Sequence, residues 1–294
     1  MEYHKPVLLK EVIDTLKPEK GKKYIDATIG LGGHAIPLLS EGSEVLGIDL
    51  NIRSLEIAYD RAKKAGVSSL LHIVKGNFKN IDKIAQEAGF TKVSGIVFDL
   101  GYSSFELEEE EIGLSFQKEQ PLDMRLDNSL GVTASDLVNA LNEKQLRDLI
   151  FLYSGEHLAG KYAKAIVKAR SLKRIQTTKD LADLLKSEAP LNYENGRIHP
   201  ATRTFQSLRI AVNNELENLH DALPRAAHLL LPGGVMVVIA FHSLEDKVVK
   251  TFGRNVQPRL MPLFKKPIKP SDEEIKINPR ARSAVMRAFI KNND

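Results

Sequence analysis

At 294 residues, with 43% hydrophobic and 27% charged side chains, the chain is long enough for one large domain or two modest ones and too apolar for general disorder. The absence of cysteine excludes a disulfide scaffold, thiolate metal ligands and a thiol nucleophile, and no apolar run approaches the length that spans a membrane. A net charge of +4 with pI ≈ 9.0 leans toward polyanionic partners, and the expected location is the cytoplasm.

In chain order, a short amphipathic helix ends at Leu16, with Pro18 as its stop. Tyr24-Ile25-Asp26 is a buried strand that opens into the turn Gly30-Leu31-Gly32-Gly33 and a helix to residue 40, whose first turn tolerates Pro37. Such a junction lies at the carboxyl edge of a parallel sheet, where glycine lets the backbone approach a ligand closely. Residues 44–49 form a second strand, ending in Asp49, a carboxylate placed to accept the hydroxyls of a ribose. A helix over 53–65, a strand over 70–74, a helix over 82–88 and a strand over 93–98 ending in Asp99 continue the alternation of a doubly wound sheet. The dinucleotide fingerprint G-x-G-x-x-G is incomplete, because His34 and Ala35 follow Gly33. Asp26, just before the turn, suits a cation better than a pyrophosphate, and S-adenosylmethionine carries both an ammonium and a sulfonium.

Past Phe105 the alternation stops. An acidic stretch over 106–111 and the segment Pro121-Leu122-Asp123-Met124-Arg125 give way to helical patterns alone. Asn142 with Gln145 predicts a capping box opening a helix through 152; helices over 158–172 and 179–187 follow, the second capped by Thr178 and closed by Pro190. A helix starts at Pro200. The alternation then returns with a helix over 215–230, a turn at Pro232-Gly233-Gly234, a strand over 235–240 and a helix over 244–252. The apolar run 284–290 is expected to close the sheet as an edge strand. The fold is thus read as α/β, a Rossmann-like sheet built from residues 1–105 and 204–294, with an all-helical substrate-recognition domain inserted at 106–203.

Five segments occur in a telling order: Asp26-Ala27-Thr28-Ile29-Gly30-Leu31-Gly32-Gly33-His34, Pro121-Leu122-Asp123-Met124-Arg125, His199-Pro200-Ala201-Thr202-Arg203-Thr204-Phe205-Gln206, Phe241-His242-Ser243-Leu244-Glu245-Asp246 and Asn278-Pro279-Arg280-Ala281-Arg282-Ser283. Together, across nearly the whole chain, they resemble the RsmH (MraW) family. The resemblance implies a class I methyltransferase sheet and a reaction in which S-adenosylmethionine methylates the exocyclic amine of a cytosine in the decoding region of small-subunit (16S) ribosomal RNA. It places Gly32, Gly33 and His34 against the methionine end of the cofactor, Asp49 on its ribose and Phe78 against its adenine, with Asp99 and Glu106 completing the contacts. Glu106 stands where the family commonly has glutamine or histidine. An aromatic gains stacking on adenine, and Asn77 is placed to hydrogen-bond the base edge.

Cytosine's amine is a poor nucleophile because its lone pair is delocalised into the ring, so an acceptor that lets the nitrogen pyramidalise assists transfer. Asp99-Leu100-Gly101-Tyr102 keeps the acid and the aromatic of the amine-directed pattern Asp/Asn-Pro-Pro-aromatic, without its prolines. Asp99, or a carbonyl near Gly101, is expected to accept the amine proton while Tyr102 stacks on the flipped base.

Other residues admit two readings. Asp123 and Arg125 form an ion pair bracing the insertion or contact substrate. Arg203, in the first turn of its helix, opposes the dipole and is expected to face an anion. His242 follows a strand end and is structural or substrate-binding. Substrate contacts are assigned to Arg203, His242, Arg280 and Arg282. His199, His220, His228 and His242 lack ligand spacing, and no metal is expected. Lys161, Lys164 and Lys168 share a helix face that solvation explains as well as RNA does, whereas the proline-punctuated tail with Arg259, Lys265, Lys266, Lys269, Arg280 and Arg282 suits phosphate contact. The expected partner is small-subunit ribosomal RNA or the 30S particle, with no membrane and with a dimer among the open oligomeric states. Alternatives are methylation of another RNA or amine, a non-catalytic RNA-binding assembly factor on the same fold, and a nicotinamide-dependent oxidoreductase, which shares the glycine turn and ribose acid.

Overall fold

The computed structural model describes residues 6–101, 112–256 and 259–292. It comprises two compact units, Met1–Ser103 with Leu216–Asp294, and Ser104–Glu215. Strands β1 (Lys23–Asp26), β2 (Glu44–Asp49), β3 (Leu71–Lys75), β4 (Val93–Asp99), β5 (Leu230–Ala240), β6 (Leu260–Pro262) and β7 (Val285–Lys291) form one sheet in the order β3-β2-β1-β4-β5-β7-β6. The first five are parallel, and β7 runs antiparallel to both β5 and β6. Helices α1 (Leu9–Leu16), α2 (Ala35–Ser40), α3 (Ile52–Lys64) and α4 (Ile81–Glu87) accompany the first strands. Then come α5 (Ala134–Ala140), α6 (Glu143–Ser154), α7 (Ala159–Arg170), α8 (Thr178–Glu188) and α9 (Thr202–Asn213), and after them α10 (Glu215–Leu229), α11 (Ser243–Asn255) and α12 (Asp272–Ile277).

Both faces of the sheet are covered, which is why its strands read as continuous apolar runs. Tyr24, Val45, Val97, Val237 and Ile239 point to one face and pack with Val12, Leu16, Leu38 and Leu55. Their neighbours Ile25, Leu46, Ile96, Met236 and Val238 point to the other, against Ile81, Ala85, Leu219, Leu223 and Val249. This is the expected α/β Rossmann-like architecture. Two details differ from expectation. The C-terminal strand is not the edge, because the three residues of β6 pair outside it, a strand too short to show any alternation. And β5 begins at Leu230, running through Pro232-Gly233-Gly234 with a register shift against Val93 and Gly95 rather than turning there.

The second unit is helical, with Leu146, Ile150, Tyr162, Ile166, Leu181, Leu185, Phe205 and Leu208 among its buried side chains. The expected capping box at Asn142 and Gln145 opens α6. Helix α8 is capped by Thr177, one residue before the expected Thr178, which is instead buried, donating through Oγ1 to Lys118 O (2.8 Å) and accepting from Gln120 N–H (3.1 Å). The sheet domain is expected to resume at 204, but all of α9 belongs to the helical unit, Ser104–Glu215. Asn213 explains why: its amide donates to Met124 O (2.8 Å) and its carbonyl accepts Leu126 N–H (2.9 Å), and Asn214, at φ 51°, then ends the helix.

Candidate cofactor and amine site

Between β1 and β4 the winding of the sheet reverses, the place where α/β sheets open a crevice at their carboxyl ends. The strands part visibly there. Ala27 N–H still donates to Val97 O on β4 (2.9 Å), while Ile29 N–H donates to Ile48 O on β2 (3.0 Å). Gly32, at φ 80°, then donates to Ile29 O (2.8 Å) and turns the chain into α2. A Cβ on Gly33 would lie 2.9 Å from Pro6 Cβ, so this glycine is required by close packing against the N-terminal segment. Arg61 on α3 fastens the turn from behind by donating to Leu31 O.

Asp49, at the end of β2, braces the same turn. Its Oδ2 accepts Gly30 N–H (2.8 Å) and its Oδ1 accepts Asn51 N–H (2.9 Å). Asp26, at the end of β1, is 1% exposed; Oδ1 accepts Thr28 N–H (3.3 Å), and the buried Oδ2 has no hydrogen-bond partner among the described residues. Burial pushes its pKa up to about 7 against the opposing pull of His34. His34, also buried, turns Nε2 toward Asp99 Oδ2 (3.2 Å) and leaves Nδ1 without a partner among the described residues. Burial works against its imidazolium, but the hydrogen bond and charge of Asp99, with the charges of Asp26 and Glu274, outweigh it and raise the pKa.

Asp99 is held at three points. Its N–H donates to Thr28 Oγ1 (2.7 Å), Gly101 N–H approaches its Oδ1 (3.4 Å), and His34 faces its Oδ2. A Cβ on Gly101 would come within 2.7 Å of the Phe241 ring, so the chain after Asp99 lies flush against that aromatic. Phe78 follows β3, half-buried, its ring edge-on to Phe98 at 5.8 Å; Asn77 Oδ1 caps this short turn by accepting Lys79 N–H (2.9 Å).

Of the sequence-predicted contacts, the structure therefore brings Gly32, Gly33, His34, Asp49 and Asp99 to one rim, with Phe78 after the neighbouring strand. Tyr102 and Glu106 lie outside the described residues. His242 is the N-cap of α11: Nδ1 accepts Glu245 N–H (3.4 Å), Nε2 lies 3.1 Å from Glu245 Oε1, and Glu245 Oε2 accepts His242 N–H in return (3.2 Å). Arg203 does face an anion, the carboxylate of Glu194 at 2.6 Å within its own unit. Asp123 and Arg125 form a two-pronged ion pair (2.7 and 2.8 Å), and Arg125 also donates to Leu130 O, as the bracing reading requires. Arg280 and Arg282 lie on a short turn, Pro279–Ser283, with Arg282 exposed. Asp26, read from the sequence as suiting a cation, lies at this rim too. Two participants escaped the sequence-based set: Thr28 as the anchor of Asp99, and Phe241 behind Gly101. The first lies within the glycine-turn motif, so the signal was present; the second is a long-range contact no local pattern reveals.

The donor set fits a cationic nucleoside. A buried carboxylate oxygen without a donor, beside two further acids and a glycine turn, disfavours pyrophosphate and favours positive charge. The comparisons agree. The model of the MraW methylase family matches residues 1–292. A protein of Sulfurihydrogenibium sp. named ribosomal RNA small subunit methyltransferase H is 43% identical over 291 residues, covering 98% of each chain, and one of the same name from Persephonella marina is 45% identical over 292 residues, again 98% of each. A third, from Deinococcus deserti, is 45% identical over 287 residues, 97% of this chain and 92% of its own. The chain belongs to the MraW methylase family.

Proposed function

We propose that the chain transfers a methyl group from S-adenosylmethionine to the exocyclic amine of a cytosine in the decoding region of small-subunit ribosomal RNA. The observation that carries this reading is the convergence of Asp26, His34, Asp49 and Asp99 on one rim of the sheet in a member of a methylase family. When bound, S-adenosylmethionine supplies a methyl group already activated by its sulfonium. Asp26 contributes a buried negative charge that favours a cation, Asp49 is assigned to the ribose hydroxyls, and Phe78 offers an aromatic surface to adenine. Tyr102 is assigned to stacking on the base, and Glu106 to the cofactor.

Asp99 accepts a hydrogen bond from the amine, which frees the nitrogen lone pair from the ring. As the nitrogen takes the methyl group, its surplus proton passes to Asp99. Because Thr28 fixes the backbone of Asp99 and His34 orients its carboxylate, little reorganisation is needed at the moment of transfer. Arg203, His242, Arg280 and Arg282 are assigned to the RNA, Arg203 by exchange of its Glu194 partner for phosphate. The test is incubation of the purified chain with methyl-labelled donor and unmodified small subunits, then nucleoside analysis. Labelled N4-methylcytidine is expected; label in another nucleoside would overturn the assignment. Calorimetry separates the oxidoreductase alternative, since heat is expected with S-adenosylhomocysteine and none with NADH.

A further inference from the structure

The edge of the sheet carries a feature that the methyl-transfer site does not use. After β6, Leu263 N–H donates to Ala288 O (2.9 Å), and Ile268 exchanges both backbone hydrogen bonds with Met286 (2.9 and 2.8 Å). Only Arg287 separates those two β7 residues, whereas four residues separate Leu263 from Ile268. The four residues Phe264-Lys265-Lys266-Pro267, facing that single position, must therefore project from the edge as a bulge pinned at both ends, stiffened by Pro262 and Pro267. Met261, Leu263 and Phe264 are 39%, 37% and 38% exposed. Arg259, Lys265, Lys266 and Lys269 are exposed around them and have no ion-pair partner among the described residues.

Register fixes where this bulge sits. Asp99 pairs with Ile239, Ile239 with Met286, and Met286 with Ile268, so one row across the sheet leads from the proposed amine acceptor to the end of the bulge. Three strand spacings separate them, about 14 Å. The basic, aromatic bulge thus lies level with Asp99, at the carboxyl rim. Lysine and proline on an edge strand also discourage edge-to-edge aggregation, but that need is served by polar side chains and gives no reason to expose Met261, Leu263 and Phe264 together. A second copy of the chain would set these cations against their own likeness. Unpaired cations interleaved with an exposed aromatic complement a single nucleic-acid strand, in which phosphates alternate with bases.

We propose that the pinned bulge Phe264–Pro267 docks the single-stranded substrate RNA beside the target nucleotide, with Lys265 and Lys266 on phosphates and Phe264 against a base. This rests on the reading of RNA as substrate. The test uses the full chain, a fluorescent single-stranded RNA carrying the decoding-region cytosine, and anisotropy titrations across a range of salt. For Lys265→Gln/Lys266→Gln the slope of log affinity against log salt is expected to be shallower by about 1.4. For Phe264→Ala the slope should be unchanged and affinity about fivefold or more weaker. Lys20→Gln/Lys22→Gln, which removes the same charge at the opposite end of the strands, should leave the slope as it was. Calorimetric affinity for S-adenosylhomocysteine, equal in all variants, certifies that they are folded. Bulge variants with the native slope and affinity would overturn this inference alone, as would a native dimer that Phe264→Ala turns into monomers of unaltered RNA affinity. A native chain that binds S-adenosylhomocysteine but no RNA would overturn the substrate reading with it.

Discussion

Charged groups are arranged differently in the helical unit and at the cofactor rim of the sheet unit. In the helical unit cations and anions close on each other: Arg125 on Asp123, Arg174 on Asp136, Arg203 on Glu194, Arg209 on Glu215. Capping boxes at Thr133, Asn142 and Thr177 absorb further polar atoms. At the rim of the sheet unit, by contrast, Asp26 Oδ2 and His34 Nδ1 are buried without partners among the described residues, and three acids stand within one structural neighbourhood. Unsatisfied buried polar atoms cost stability unless a ligand completes them. Charges that close on one another hold a fold, whereas a buried, unpartnered carboxylate oxygen beside two further acids marks a place for a cation.

The sharpest way to break this contrast is at Asp99. Asp99→Asn, which keeps the shape but loses the proton acceptor, is expected to slow single-turnover methyl transfer by roughly 100-fold or more at saturating donor. An undiminished rate would remove Asp99 from the chemistry. Next in size is Gly33→Ala, where the new methyl group meets Pro6. A loss of about 1–3 kcal/mol is expected in denaturant unfolding, with Gly89→Ser, a positive-φ position with open space, separating conformational strain from steric contact.

Asp26 sharpens the comparison through pH. Its carboxyl titrates near pH 7 when folded and near 4 when unfolded, so ionising it costs the folded state stability, and that cost accumulates as pH rises from about 4 to about 7. Asp26→Asn is therefore expected to melt progressively higher than the native chain across that interval, with the gap level above pH 8. A gap independent of pH would place the carboxylate in water. The raised pKa of His34 runs alongside: its stabilisation is complete below pH 6.5 and is lost as pH rises through the folded value. The smallest effect is expected at the helical ion pair. Glu194→Gln should change stability by less than ~1 kcal/mol and leave methyl transfer intact, whereas Arg203→Gln should weaken RNA binding if Arg203 exchanges partners on docking.

Much of the sheet unit was legible. Strand β2 runs over the residues expected of it, and the glycine turn, Asp49 and Asp99 arrive together because each lies at the end of an apolar run that a parallel sheet must bury on both faces. What could not be read locally has a common cause in distance or brevity. Strand β6 exists only through its pairing with β7. The anchoring of α9 by Asn213 spans nearly ninety positions, to Met124 and Leu126. Helix α5 carries a clear Thr133–Asp136 box, but its seven residues are too few to display a period. The partner of Arg203 sits in a turn where Glu194 and Asn195 both take positive φ; Asn195 and Gly196 favour that conformation, but nothing in the sequence marks Glu194 for it.

One rim, between β1 and β4, is expected to hold the cationic donor. A crystal structure of the chain with S-adenosylhomocysteine tests this most directly. The prediction is density over the Gly30–His34 turn, with the ribose on Asp49 and the amino-acid end toward Asp26. Ligand density at any other surface, with that rim left to solvent, would contradict it.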